Sequence, residues 1–469
     1  MNKGSELAKN TAVIAVGKIA TQMVSFFLLP LYTAVLSTED YGIVDLVTTY
    51  AQLLLPIVTL QLEQALFRFL LECRTNENEK KKTISEIYTL TIFATCIFCV
   101  IYFVVCLFVS SQFKYLLLLN LVASVFVAMM LQTARGLGFN SIYAEGSFIS
   151  ASGQVALNVV FVLLFRMGAY GMLYASFLAY LISGIYLLFR TKAYKYFRFT
   201  FFTLKEVKPF LKYSLPLIPN VISWWILNAS DRSIILKFIG VSANGIYSAA
   251  NKFSGIYTNI YNIFNLSWTE TVALHLHENG ADADFTKLQS TIIRFFSSMY
   301  IGITAVMPFV FSILINDKFG DAYYQIPILL AGAFFSAMTG VLGAYYVAEK
   351  MTDVIAKMTI TAAIFNVAIN LLFVKTMGLY AASLSTLISY FVVFVLRYID
   401  VRKRFNIRLE PTIVIGTVVM TVMVWVAYYS RNVVWCAIAL VVTVVYAVVM
   451  NRGLMKNIMN TALRLVRKR

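Results

Sequence analysis

The chain has 469 residues, of which 60% are hydrophobic and 13% are charged. This balance excludes a soluble multidomain protein and indicates a polytopic membrane protein. The stretches between the apolar runs are mostly too short to fold alone, so we expect the membrane part to be the whole protein. A net charge of +17 could also indicate a nucleic-acid-binding protein. The distribution of the basic residues along the chain decides between the two interpretations.

The apolar runs predict an all-α membrane protein with about fourteen transmembrane helices, because each run approaches or exceeds the twenty or so residues that cross a bilayer. Several runs are longer and contain Pro, Asn, Gln, Lys or Asp, which is typical of helices that bend or line an aqueous space. In chain order the predicted helices cover residues 10–36, 41–71, 85–110, 114–138, 142–165, 169–190, 209–238, 242–274, 286–315, 323–348, 353–375, 378–398, 411–430 and 432–451.

The basic residues lie almost entirely on one side of this topology. Of the 39 Lys and Arg residues, 28 fall in the N-terminus, the even-to-odd loops and the C-terminus or at the helix ends beside them, and six fall in or beside the opposite loops. This is the positive-inside bias, and it predicts that both termini are cytoplasmic. The charge is therefore mainly a topology signal, and no nucleic-acid partner is expected.

An internal repeat organises the chain. Residues 9–43 align without gaps on residues 212–246, and Gly171-x-x-x-Ala175-Ser176 matches Gly378-x-x-x-Ala382-Ser383. Six helices per repeat is an even number, so the two lobes are expected to be related by a pseudo-two-fold axis along the membrane normal, with a substrate site between them. The predicted parts are an N-terminal six-helix lobe (1–190), a basic cytoplasmic linker (191–208), a C-terminal six-helix lobe (209–400), and two extra helices with a basic tail (401–469).

Charges at membrane depth need a partner, a wet cavity or a path to the interface. Lys252 lies about ten residues into predicted helix 8, near the bilayer centre, and is either a cavity cation or part of a buried pair. Lys18 lies nearer the cytoplasmic end of helix 1, so both a cavity role and a reach to the interface remain open. Asp45, one turn into helix 2 from outside, is a candidate to bind a coupling cation or proton.

Predicted helices 7 and 8 hold the other candidates for a substrate cavity. Asp231 and Arg232 lie near the outer end of helix 7, where either an interface anchor or a ligand site accounts for them. Trp225 and Tyr257 belong to an aromatic group that could stack on sugars, although most membrane aromatics are belt or packing residues. Pro216 and Pro219 should bend or break helix 7, as a hinge or as a static kink.

Three stretches together resemble a known family: Leu211 to Pro219, then Asp231-Arg232, then Gly245 to Phe253. They are similar to the Wzx-type polysaccharide-biosynthesis flippases of the multidrug/oligosaccharidyl-lipid/polysaccharide exporter superfamily. Tyr41-Gly42 after helix 1 resembles the same family, and the resemblance covers essentially the whole chain.

The resemblance implies a bacterial cytoplasmic-membrane protein that moves an undecaprenyl-pyrophosphate-linked oligosaccharide between leaflets by alternating access. It also implies a cation-lined cavity that meets the anionic substrate, for which Lys252, Arg232 and Lys18 are the matching candidates. Its implied partners are the lipid-linked oligosaccharide, membrane lipids, a coupling proton or sodium ion, and a polysaccharide polymerase with other assembly proteins.

Other functions remain open. A multidrug or cation antiporter of the same fold would be expected to carry carboxylates deep in the first lobe, whereas Asp45 and Glu63 lie toward the ends of helix 2. A lipid II flippase also fits fourteen helices. A glycan polymerase or ligase would normally need a large external loop, and the external loops here are short. No enzyme activity, cofactor or metal is expected, since there is no Walker loop and His275-x-His277 does not share a helical face.

Overall fold

The computed structural model describes residues 28–108, 110–199, 204–276, 278, 281–349, 351–405 and 409–456, and the regular structure within these ranges is helical. This confirms the predicted all-α fold class. Two compact units are present. Unit 1 runs to Ser233 and also includes Gly240–Gly245, and unit 2 comprises Ile234–Ile239 and the chain from Ile246 onward. The predicted division into two six-helix lobes, a linker at 191–208 and two extra helices stays a prediction.

The helices of the described chain up to Phe238 are α1 Leu29–Val35, α2 Thr38–Val58, α3 Leu62–Glu72, α4 Glu77–Cys106, α5 Lys114–Gly136, α6 Asn140–Asn158, α7 Gly168–Arg190, α8 Ala193–Tyr196, α9 Leu204–Ser214 and α10 Leu217–Phe238. A six-residue π-helix, Val159–Leu164, continues α6. The later helices are α11 Val241–His275, α12 Ala281–Leu314, α13 Ala322–Ala348, α14 Thr352–Met377, α15 Leu379–Phe405, α16 Pro411–Ser430 and α17 Val433–Met450.

Eleven of the described helices are long and apolar enough to cross a membrane, judged by length and composition. They correspond to α2, to α4–α7 and to α12–α17, so most of the predicted spans are present. Predicted helix 1 lies largely outside the described residues. The helices α10 and α11 are long enough but fall outside this set because they carry many polar residues. That they line an aqueous space stays a prediction.

Predicted helix 2, residues 41–71, is wrong as a single helix, because the chain breaks between α2 and α3. Pro56 removes a backbone donor in the last turn of α2. The Thr59 hydroxyl donates to Leu55 O at 2.9 Å, and Leu60 and Gln61 both adopt positive φ. Two consecutive left-handed residues cannot continue an α-helix, so α3 starts in a new direction.

Predicted helix 7, residues 209–238, also divides in two. The helix α9 ends at Ser214, and Leu215 and Pro216 form a turn before α10 begins at Leu217. Pro216 therefore lies in the break, and Pro219 lies in the first turn of α10, where a missing N–H is tolerated. The predicted break at these prolines is present, while their role as a hinge stays a prediction.

The last two helices, α16 and α17, pack against the other helices of unit 2. The Trp425 indole on α16 donates to the Tyr300 hydroxyl on α12 at 2.9 Å, and the Asn451 amide after α17 donates to Ser298 Oγ at 3.0 Å. The rings of Tyr323 and Tyr428 stack at 4.1 Å, and each hydroxyl donates to the other residue's carbonyl oxygen. These contacts fix α16 and α17 onto the body of unit 2.

Arg397 on α15 is a buried cation, 4% exposed, that joins three helices of unit 2. It donates to Thr339 O on α13 at 2.9 Å and to Thr359 Oγ1 on α14 at 3.4 Å. Its guanidinium also fills the space beside Gly343, where an added Cβ would lie 3.0 Å from Nη1. Arg397 therefore acts as a packing centre for α13, α14 and α15.

Arg397→Ala is expected to lower the free energy of unfolding by about 3 kcal/mol, because charge-assisted hydrogen bonds are lost and a cavity is left. Thermal unfolding of the purified protein in detergent measures the effect. Arg402→Ala, an exposed position on the same helix, is the control and should be near neutral. Equal stability of the two variants would contradict the assigned packing role.

Candidate functional site

An ion pair between α2 and α10 joins two residues that the sequence analysis singled out separately. Arg232 Nε donates to Asp45 Oδ2 at 2.7 Å, and the Arg232 and Asp45 side chains are only 13% and 14% exposed. Arg232 Nη1 also donates to Asn228 O one turn earlier on α10, at 3.1 Å. The predicted coupling-ion residue and one of the predicted substrate cations are thus in direct contact.

Asn244, at the start of α11, completes this polar cluster. Its side-chain amide donates to Asp45 Oδ2 at 3.2 Å and to Gly42 O at 3.1 Å. One carboxylate oxygen of Asp45 therefore accepts from both Arg232 and Asn244. We call Asp45, Arg232 and Asn244 the polar cluster; Asn244 was missed in the sequence analysis, although the repeat alignment passes through it.

The backbones of α2 and α11 cross in contact at Gly42 and Gly245. A Cβ added to Gly245 would overlap Thr38 O and lie 3.0 Å from Gly42 N. A Cβ added to Gly42 would overlap Val241 O and lie 2.9 Å from Gly245 N. Only glycine permits this separation at either position, and the internal repeat pairs the same two glycines with each other.

Further contacts extend the α2–α10 interface beyond the polar cluster. Trp225 Nε1 donates to Thr49 O at 3.0 Å, and the Trp225 ring lies 6.4 Å from that of Tyr50. The hydroxyls of Tyr50 and Ser233 are 3.1 Å apart. Trp225 is half-buried and hydrogen-bonded, so its polar edge is used within unit 1 while part of its surface stays accessible.

The remaining predicted site residues differ in how deeply they are buried. Asp231 is buried, at 2% exposure, next to Arg232, and Lys252 is exposed on α11. Tyr257 is fully buried, and its hydroxyl donates to Phe296 O at 3.0 Å, so a substrate contact would require the packing around its ring to change. Lys18 lies outside the described residues. Roles of these residues in binding stay predictions.

The polar cluster places one positive and one negative group where they neutralise each other. A proton or metal cation arriving at Asp45 would compete with Arg232 for the same carboxylate. An anion arriving at Arg232 would compete with Asp45 for the same guanidinium. The arrangement can therefore exchange an internal ion pair for two external ligands of opposite charge.

The described part of the chain combines many long apolar helices with one polar cluster, and this is the architecture of a polytopic membrane protein. The profile described as polysaccharide biosynthesis protein matches residues 7–268, which is more than half of the chain. The chain therefore belongs to the polysaccharide biosynthesis protein family. A comparison with curated proteins gave no match.

Solved transporter structures share the fold. The lipid II flippase MurJ in an inward closed conformation is similar with a TM-score of 0.72 and 14% identity, over 96% of this chain and 100% of that chain. An inward-facing multidrug resistance MATE family transporter of the MOP superfamily is similar with a TM-score of 0.65 and 13% identity, over 84% of this chain and 98% of that chain. At these identities the likeness establishes the fold alone.

Proposed function

We propose that the protein is a flippase that moves an undecaprenyl-pyrophosphate-linked oligosaccharide across the bacterial cytoplasmic membrane for assembly of a surface polysaccharide. The observation that carries this proposal is the Asp45–Arg232 pair in a member of the polysaccharide biosynthesis protein family. A transporter of a lipid with an anionic headgroup needs a cation on the path of that headgroup that is neutralised when no substrate is bound. In the Asp45–Arg232 pair the cation is neutralised by Asp45, and it becomes available to the substrate when the pair separates.

In this proposal Arg232 contacts the pyrophosphate or an acidic sugar, and Asp45 accepts the coupling cation, a proton or sodium ion. Binding at either residue weakens the pair and favours binding at the other, so the two ligands bind with positive coupling. Asn244 keeps the Asp45 carboxylate in place after Arg232 turns away, through its 3.2 Å hydrogen bond. The conformational change of alternating access then requires that both the substrate and the coupling cation are bound.

Other residues are assigned supporting roles. Lys252, exposed on α11, and Lys18 are proposed to add positive charge to the path of the headgroup, and Trp225 to offer a ring face to a sugar. The break at Pro216 and the start of α10 at Pro219 would let α10 change direction during alternating access. A polysaccharide polymerase is the proposed partner at the outer face.

Deletion of the gene is the test of this function. Lipid-linked repeat units are expected to accumulate in the inner leaflet with loss of surface polysaccharide, because synthesis continues while export stops. Extraction and mass spectrometry of the lipid-linked oligosaccharides, with surface glycan staining, measure both. Restoration by the wild-type gene on a plasmid is the control.

Two other results would point to the rival functions. Normal glycan with increased sensitivity to cationic drugs would favour a multidrug antiporter. Accumulation of lipid II with cell lysis would favour a lipid II flippase, the second candidate, which the fold similarity to MurJ over the full length of that chain supports.

A further inference from the structure

The short helix α9 has two opposite faces of different chemistry. Its eleven residues span about 16 Å, too little to cross a hydrocarbon core of about 30 Å. Val207, Phe210 and Ser214 are buried on one face, and the Phe210 ring packs edge-on against Phe69 of α3 at 4.9 Å. The helix is therefore fixed to unit 1 by a well-packed apolar side.

The opposite face carries an exposed row of three lysines. Lys205, Lys208 and Lys212 are spaced three and four residues apart, which places them within about 60° of one another around the helix. We call these three residues the lysine stripe. Within the described part of the chain, none of the three forms an ion pair with a carboxylate.

The acidic residue of α9 does not neutralise this row. Glu206 Oε1 lies 3.5 Å from Lys82 Nζ, on the side of α9 that faces α4. Tyr213 is 40% exposed at the border of the two faces, with its ring 6.2 Å from that of Phe69. An exposed tyrosine beside a basic row is typical of helices that lie in the headgroup region of a membrane.

We propose that the lysine stripe of α9 binds the anionic headgroups of phospholipids in the cytoplasmic leaflet. The charge distribution along the chain predicts that α9 lies on that side, where anionic lipids hold a negative surface potential. Three aligned ammonium groups that have no carboxylate partner among the described residues match several lipid phosphates better than they match a single ligand. This site is separate from the polar cluster and independent of the proposed transport function.

The position of α9 gives this binding a consequence. Only Leu215 and Pro216 separate α9 from α10, the helix that carries Trp225 and Arg232. Anchoring α9 to lipid headgroups therefore fixes the depth, relative to those headgroups, at which α10 starts. Anionic lipid is expected to stabilise the protein through this helix.

The test uses the full-length protein in a neutral detergent, with phosphatidylglycerol or phosphatidylcholine added and the melting temperature recorded. Phosphatidylglycerol should raise the melting temperature more than phosphatidylcholine does, because it binds the folded state. Each lysine near an anionic surface contributes about fivefold to binding, so K205Q/K208Q/K212Q should weaken the apparent affinity about a hundredfold. Added salt should reduce the wild-type effect.

The control is K357Q/K403Q/K456Q, which removes the same charge from exposed lysines of unit 2. It should keep the wild-type response, and each variant is compared with its own lipid-free melting temperature so that any loss of stability is separated from loss of binding. A full response in K205Q/K208Q/K212Q, an equal loss in the control, or no preference of the wild type for phosphatidylglycerol would overturn the proposal. So would a response to undecaprenyl pyrophosphate alone that needs the lysine stripe, since the stripe would then serve a lipid-linked substrate.

Discussion

Arg232→Gln is expected to abolish transport, with at least a hundredfold loss of flipping rate in proteoliposomes or loss of surface polysaccharide in cells. The substitution removes the proposed cation for the substrate and leaves Asp45, which is only 14% exposed, without its 2.7 Å partner. Breaking a largely buried pair costs about 3 kcal/mol, so some loss of stability is also expected. Lys237→Gln removes an exposed cation five residues further along α10, and this variant should transport normally.

Exchanging the two charges separates a transport role from a structural one. Asp45→Arg combined with Arg232→Asp restores an ion pair and should recover much of the melting temperature lost in Arg232→Gln. Transport should stay absent, because the cation then lies on α2 and the carboxylate on α10. Recovery of both stability and transport would show that the pair only holds helices together.

Asp45→Asn tests the coupling half of the exchange. The amide keeps a similar shape but carries no charge to bind a proton or sodium ion, so substrate binding at Arg232 should persist while its dependence on the ion gradient is lost. Binding is measured on the purified protein with and without the cation. A gradient-driven rate equal to that of the wild type would remove Asp45 from the coupling mechanism.

The sequence predicted the fold class and most of the spans because hydropathy and charge bias report directly on contact with lipid. It also singled out Asp45 and Arg232, since a charge in an apolar run is visible without coordinates. It did not indicate that they form one pair, because their separation of 187 residues carries no periodicity. Asn244 was missed for the same reason, as a single amide in a helix gives no signal until its neighbours are known.

Local breaks in the helices were harder to predict than the helices. The end of α2 is set by Leu60 and Gln61 at positive φ, and neither residue type prefers that conformation. Arg397 lies near the end of predicted helix 12, where a basic residue normally reaches the membrane interface, so the sequence gives no sign that it is buried. Its burial depends on packing between α13, α14 and α15, which only tertiary structure reveals.

Gly245→Ala should be the most disruptive single-methyl change in the described part of α11. The new Cβ would overlap the carbonyl oxygen of Thr38, a backbone atom in the first turn of α2 that cannot move away by a change of rotamer. The two helices must then separate, which would also pull Asn244 from Gly42 O and from Asp45. We expect about 3 kcal/mol of destabilisation and loss of transport, measured by thermal unfolding and by complementation of the deletion strain.

Gly255→Ala on the same helix is the matched control. Nothing lies within 4 Å of a Cβ added there, so this substitution should be neutral or slightly stabilising, because alanine favours a helix over glycine by up to about 1 kcal/mol. Gly42→Ala should reproduce the Gly245→Ala defect, since its Cβ would overlap Val241 O from the other side of the same crossing. Normal transport by Gly245→Ala with an unchanged melting temperature would show that α2 and α11 do not need this contact, and the polar cluster would then have to be held together without it.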